Sequence, residues 1–227
     1  MKIIAAWPGF IAGFLMMCLL SGIGCAREKE VPAPASPARL GESESQSEEA
    51  LNSVAVEIAL PQPQGTLSIQ AKIPRGWERN PEFGTAVFQP PDKDDFFYPP
   101  LIQYRASCGG ACDPSAVPAN IEAAFRSLKD ILARPNINTG DPALDAVRAT
   151  VDVLREEKVG DGTWILAAAV TYPENLSSAL YVPKIVVHVF RHRPGDGFFV
   201  QTSAHAPLDQ KGKLLDVLIA ACRSTEY

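Results

Sequence analysis

Little in this chain suits catalysis by the familiar routes. It has no Gly-x-Ser-x-Gly nucleophile turn, no His-Glu-x-x-His zinc helix and no phosphate-binding glycine loop. Histidines number three and cysteines five in 227 residues. A metal site would have few ligands to draw on, and there is no second close cysteine pair to complete a thiolate cage. Positive charge is also short. Against 26 Asp and Glu stand 21 Lys and Arg, a formal charge of −5, so the basic footprint of a nucleic-acid binder is missing. These lacks weigh against an enzyme without closing the question, and no cofactor is expected.

What the chain does have is one long apolar run, placed at the N-terminus. Lys2 is the only charge before Arg27, and Ile3 to Ile23 is apolar almost throughout. A positive start, an apolar middle and small residues before a cleavage point are the parts of a secretory signal. The run ends Ser21-Gly22-Ile23-Gly24-Cys25. That ending resembles the lipobox of bacterial lipoproteins, in which the Cys takes the lipid and becomes the mature N-terminus. The resemblance implies a signal peptide over 1–24 and lipidation of Cys25. Gly22 departs from it, since the family usually has Leu three residues before the Cys. Cys18 is a poorer fit because bulky Met17 precedes it. An uncleaved apolar helix is the rival reading, since 21 residues rising about 1.5 Å each span roughly 30 Å. Simple secretion is a third. All three readings put the rest of the chain outside the cytoplasm.

Residues 25–51 read as a lipid-anchored flexible linker. Ala26 to Leu51 has no aromatic residue, and it carries the acidic-polar run Glu42 to Glu49. Such a stretch cannot bury enough apolar surface to offset its ordering entropy. A short helix can begin at Glu48–Leu51. Residues 52–227 then form a single domain, long enough for a real core. Strands are expected at Val54–Leu60, Thr66–Ile73, Thr85–Phe88, Leu101–Ala106, Thr150–Lys158, Thr163–Thr171, Lys184–Arg193 and Phe198–Ala204. Gly160-Asp161-Gly162 and Gly195-Asp196-Gly197 punctuate two hairpins. Ile121, Phe125, Leu128 and Leu132 stripe one helix over Pro118–Ala133. Leu214, Leu215, Leu218, Ile219 and Cys222 stripe another, with Asp209 as its candidate cap. The expected class is α+β: an antiparallel sheet with hairpins packed against two amphipathic helices.

Leu67-Ser68-Ile69 followed by Ile73-Pro74-Arg75-Gly76-Trp77, with a closing helix ending Cys222-Arg223-Ser224, resembles the PsbP-like α/β/α sandwich family over roughly residues 66–225. The resemblance implies a non-catalytic binding or assembly module at a membrane. The Cys108–Cys112 loop is not a feature of that family, so no partner and no functional residue is carried over.

Cys108-Gly109-Gly110-Ala111-Cys112 is the most pointed local feature. Close cysteines in an oxidising compartment usually pair, and two glycines let the backbone between them turn tightly. Thiol–disulfide exchange is the sharper alternative, with a helix starting at Asp113-Pro114 lowering the thiol pKa of Cys112. The spacing is C-x3-C rather than the familiar C-x2-C. Cys222 falls on the apolar stripe of its helix, so it reads as a buried thiol, and a bridge to Cys108 or Cys112 is its alternative role. If Gly195-Asp196 is a two-residue turn, residues paired across that hairpin sum to 391. His188 then faces Ser203, with His205 and His192 on the same face. That face is a candidate three-histidine metal face, but Phe190 and Phe199 share it, and ordinary sheet histidines are the favoured reading. Lys184, Arg191 and Arg193 make the end of one strand locally basic, a contact for anionic headgroups or cell-wall polymer in one reading and a solvated strand end in the favoured one. Asp92, Asp94 and Asp95 lack the glycine and distal Glu of a calcium loop. Phe96-Phe97-Tyr98 reads as a partner loop if exposed and as core if not.

The functional expectation is a membrane-anchored lipoprotein of the bacterial cell envelope. It binds the bilayer through Cys25, carries a structural Cys108–Cys112 disulfide, and acts as a binding or assembly module for an unidentified envelope or cell-wall partner. The alternative is a periplasmic thiol–disulfide oxidoreductase using Cys108 and Cys112.

Overall fold

The computed structural model describes residues 50–61, 65–84, 86–92, 98–134, 140–160, 162–173 and 181–227. The signal segment 1–24, Cys18, Cys25 and the linker through Glu49 lie outside the described residues, as do Thr85, Asp94, Asp95, Phe96, Phe97 and Asp161. Among the described residues no helix is long and apolar enough to cross a membrane.

The described elements are α+β, as the alternation and the two helical stripes require. A hairpin of β1 (Leu51–Ala59) and β2 (Thr66–Pro74) opens the domain. Leu51 is already buried in the core. The fold therefore takes in one residue more than composition assigned to the domain, and takes it as strand rather than helix. Next come β3 (Glu78–Arg79), β4 (Val87–Gln89) and β5 (Leu101–Ser107), then helix α1 (Val117–Ala133) and the short α2 (Pro142–Asp145). Strands β6 (Thr150–Val159), β7 (Thr163–Thr171), β8 (Lys184–Arg191) and β9 (Phe199–Pro207) lead into α3 (Lys211–Arg223). Strands β3 to β9 make one antiparallel sheet in the order β3-β4-β5-β9-β8-β7-β6.

Successive side chains of a strand point to opposite faces, so the registers sort the sheet. One face gathers Ile102, Tyr104, Ile165, Ala167, Ile185, Val187, Val189, Val200 and Ala204. It lies against Leu218, Ile219 and Cys222 of α3 and against Val56, Ile58, Ile69 and Ile73 of the hairpin. The other face sends Trp164, Leu166, Phe190 and Phe199 against Val117, Ile121 and Leu128 of α1, with Phe125 and Leu132 at the margin. Phe125 meets Phe190 edge-on at 6.1 Å, a favoured aromatic geometry. Lys129 Nζ reaches Glu156 at 2.6 Å, pinning α1 to edge strand β6. That edge also carries Asp152, Arg155, Glu157 and Lys158 and a bulge between Val153 and Arg155, which blunts pairing with another chain.

The caps differ from expectation. Asp209 caps nothing: α3 follows a 3-10 turn at Leu208–Gln210, and its N-cap Gln210 makes no side-chain bond. The β8–β9 register does sum to 391, with His188 opposite Ser203. The turn that closes it is different. Asp196 N–H donates to Arg193 C=O, so Pro194 and Gly195 sit at its centre, and Gly195 has φ 96°. Proline first and a left-handed glycine second is the type II arrangement.

The two Gly-Asp-Gly triplets split their labour. Gly160 and Gly195 adopt positive φ and make the turns. Gly162 and Gly197 serve close approach instead. A Cβ on Gly162 would overlap the carbonyl oxygen of His192, and one on Gly197 would lie 2.8 Å from the carbonyl oxygen of Cys112. Gly162 C=O in turn accepts His192 N–H at 2.8 Å, joining one hairpin to the other.

Candidate functional site

Two places in the domain gather chemistry. The first is the loop after β5. Cys108 and Cys112 are joined by a disulfide with Cα atoms 4.9 Å apart, and Cys222 is free and buried in α3. Cys108 is buried and Cys112 exposed. Asn120 of α1 donates to Cys108 C=O at 2.9 Å and to Ala111 C=O at 3.3 Å, so the helix grips the loop. The helix does not begin at Asp113. Asp113 makes a turn instead, its carboxylate accepting from Ser115 N–H and Ser115 Oγ, and α1 starts at Val117. Those bonds hold the Asp113 carboxyl below its usual range. A carboxylate beside Cys112 disfavours a thiolate, the reverse of what exchange chemistry needs. The pair lines an open cleft of about 470 Å³ with Ala59, Leu60, Pro61 and Ala106. Burial pushes the Cys222 thiol up, so it stays protonated.

The second place is the half of the sheet's second face that lies beyond the apolar patch under α1. There β5, β9 and β8 run side by side, and the registers stack polar rows. Gln103 pairs with Ser203 and Ser203 with His188; Arg105 pairs with Gln201; His205 lies opposite Leu101 and Val186. Arg105 Nε and an Nη of the same side chain donate to Gln201 Oε1 at 2.8 and 2.5 Å. His205 stacks on Tyr98 with ring centroids 4.4 Å apart. Lys184 Nζ donates to Tyr98 Oη at 3.3 Å and lies 4.8 Å over that ring. Burial lowers the Lys184 pKa. Burial, and then the Arg105 charge, hold His188 at about 4. Burial, Lys184 and His188 hold His205 at about 4, against a backbone bond at Pro99 that raises it. Both imidazoles are therefore neutral at pH 7, and among the described residues His188 Nδ1 is buried without a hydrogen-bond partner.

The three histidines do not converge. His192 is tied into the turn, its Nε2 3.1 Å from Asp196 C=O, and Phe190 and Phe199 pack together at 5.6 Å on the same face. Among the described residues no group of three His, Cys, Asp or Glu side chains could hold a metal. The basic residues of β8 also part company. Lys184 is at one end. At the other, Arg191 donates to Arg223 C=O at 2.9 Å and to Thr225 C=O, while Arg193 pairs with Asp196 at 3.0 Å and donates to Tyr227 C=O. These arginines fasten the C-terminal tail. Of the Phe96-Phe97-Tyr98 stretch, only Tyr98 is described, and it walls the polar half-face.

Read from the sequence, Arg105 and Gln201 do not stand out, and Ser203 figures only as the residue opposite His188. Their signal was there as alternation: Gln103 and Arg105 on β5, and Gln201, Ser203 and His205 on β9, are the polar partners of apolar neighbours. Alternation alone reads as the solvent side of a strand, and only cross-strand register gathers the two sets.

No protein-family profile matches the sequence, and no curated protein matches it. Among solved structures, the chain is similar to LpqN, described as involved in cell envelope biogenesis of Mycobacterium tuberculosis. That match has 18% identity and a TM-score of 0.44, and covers 77% of this chain and 90% of the other. It is also similar to the cyanobacterial PsbP (CyanoP) of Synechocystis sp. PCC 6803, at 11% identity and a TM-score of 0.45, over 78% of this chain and 92% of that one.

Proposed function

We propose that this chain is an exported protein of the bacterial envelope, anchored through a lipid on Cys25, whose folded domain is a non-catalytic binding or assembly module. The apolar run ending in Gly24-Cys25 and the acidic linker after it support the anchor. A disulfide at Cys108–Cys112 suits an oxidising compartment. The observation that carries the binding role is the polar half-face itself: Arg105, Gln103, Ser203 and His188 sit in adjoining rows on the sheet, beyond the apolar patch covered by α1. Replacing Cys25 by Ser tests the anchor. The expected result is loss of acyl mass by intact-mass analysis and loss of membrane fractionation. A variant processed and retained as before would defeat the lipidation reading.

One observation favours a second reading, thiol–disulfide exchange: Cys112 is exposed and opens on the cleft beside Leu60. That reading requires ready reduction in the folded state. Counting free thiols by mass after mild reductant decides it, and a pair that stays oxidised rejects it. The Asn120 clamp and the Asp113 carboxylate support the structural role.

A further inference from the structure

The polar half-face has an unbalanced charge. Along β5, β9 and β8, the positions on this side are Leu101, Gln103, Arg105 and Ser107, then Phe199, Gln201, Ser203 and His205, then Lys184, Val186, His188 and Phe190. Two of them are cations and none is a carboxylate. Each cation is held by a neutral partner. Arg105 gives two of its N–H groups to Gln201 Oε1, and a guanidinium has five. Lys184 is held by the Tyr98 hydroxyl and by the faces of Tyr98 and Tyr172. A second imbalance adjoins the first: among the described residues the buried Nδ1 of His188 has no partner. An unmade hydrogen bond at a buried atom is costly, and most such atoms are satisfied by protein, water or ligand. His188 lies in the row next to Arg105, with Ser203 as its register partner. A positive charge, an unused imidazole nitrogen and a hydroxyl thus sit in two adjoining rows of one pleated surface, about 7 Å apart along the strands, with Arg105 on β5 and His188 on β8 about 10 Å apart across β9.

We propose that this half-face binds an oxyanionic group, a carboxylate or a phosphate, carried by a small ligand, with Arg105 as its charged contact and His188 and Ser203 as neutral partners. The oxyanion satisfies the open Arg105 donors through charge-assisted bonds, which are stronger than neutral ones. His188 Nδ1, closed to solvent in the structure, becomes a second donor when the side chains over it move aside for the oxyanion. Lys184 lies further along β8, beside His205, and adds to the attraction from the rim. The inference rests on the binding-module reading and gives it a ligand class.

The test uses the full-length protein in a non-ionic detergent, with histidine ring nitrogens isotopically labelled. Inorganic phosphate and acetate are titrated at constant ionic strength against a chloride control, and the His188 ring shift is followed by NMR. A saturable shift with phosphate or acetate, absent with chloride, is expected. Phosphate alone assigns a phosphoryl group, and acetate alone a carboxylate. Arg105→Gln, with its fold checked by circular dichroism, is expected to weaken binding about tenfold or more, the size of one lost charged hydrogen bond. A His188 response that tracks chloride overturns the proposal in the parent chain, whatever the variant does. So does an Arg105→Gln chain that folds and binds as the parent does. Either failure leaves the membrane-anchor reading standing, since that depends on Cys25 alone.

Discussion

On one face of the seven-stranded sheet, Ile165, Ile185, Val187 and Val200 lie under α3 and the β1–β2 hairpin. On the other, neighbouring residues of the same strands present Gln201, Ser203 and His188, joined by Gln103 and Arg105 from β5. The backbone ladder is shared, so strand pairing does not distinguish the faces. Coverage does. Among the described residues two elements close the first face, whereas on the second α1 covers Trp164, Leu166, Phe190 and Phe199 and reaches Ala168, Val170 and Val186 only through Leu132. Apolar burial is what orders the domain, so the closed face supplies stability. The rest of the second face carries groups that apolar packing does not need, with Gln103 and Arg105 exposed at its edge, which makes it the natural place for recognition.

The contrast is breakable. The largest effect is expected at Leu218, fully buried where α3 meets the sheet. Leu218→Ala should cost about 3–4 kcal/mol in urea denaturation, the usual range for a core leucine. A loss below about 1 kcal/mol would mean that α3 does not close that face.

A middle-sized effect concerns His188 and His205. Unfolded histidines take up protons below about 6.5, whereas these two do so in the fold only near 4. Between those values the unfolded chain binds more protons, so stability falls as pH drops from about 6.5 toward 4. Burial is the main cause for both; the Arg105 charge adds to it at His188, and Lys184 and His188 add to it at His205 against the Pro99 backbone bond. Replacing both by Gln should remove most of that acid limb, so that stability changes little between about pH 6.5 and 4. An unchanged slope would show that the half-face does not hold them neutral.

The smallest effect sharpens the contrast from the other side. Ser203→Ala on the polar half-face should change stability by less than about 0.5 kcal/mol, read from the same denaturation curves. A larger loss would mark Ser203 as part of the scaffold rather than of a surface for ligands.

Most of the scaffold could be read in advance because it repeats. Period-two alternation found β1 and β2, the two Gly-Asp-Gly turns marked off β6 to β9, and the helical stripe of Ile121, Phe125, Leu128 and Leu132 found α1. The β8–β9 register came out right although the assumed turn did not, because the pattern of buried side chains fixes pairing more firmly than loop geometry does. Signals carried by single residues fared worse. Asp209 looks like a cap, yet a 3-10 turn intervenes. Two-residue β3 is too short to show a period. The polar half-face depends on which strands become neighbours: β5 meets β9 across almost a hundred residues of sequence, and no local pattern announces that meeting. His192 shares a parity with His188, yet its ring serves the turn.

Gly162 and Gly197 have a consequence for how this sequence can drift. Turn glycines such as Gly160 and Gly195 face open space, and a lineage can replace them by lengthening the loop or recruiting Asn, which tolerates left-handed backbone. Gly162 and Gly197 have no such route, because any side chain would meet the carbonyl of His192 or of Cys112. Descendants that keep this packing should therefore vary at the first glycine of each triplet and hold the second fixed. In that way a repeated tripeptide would leave two different evolutionary records.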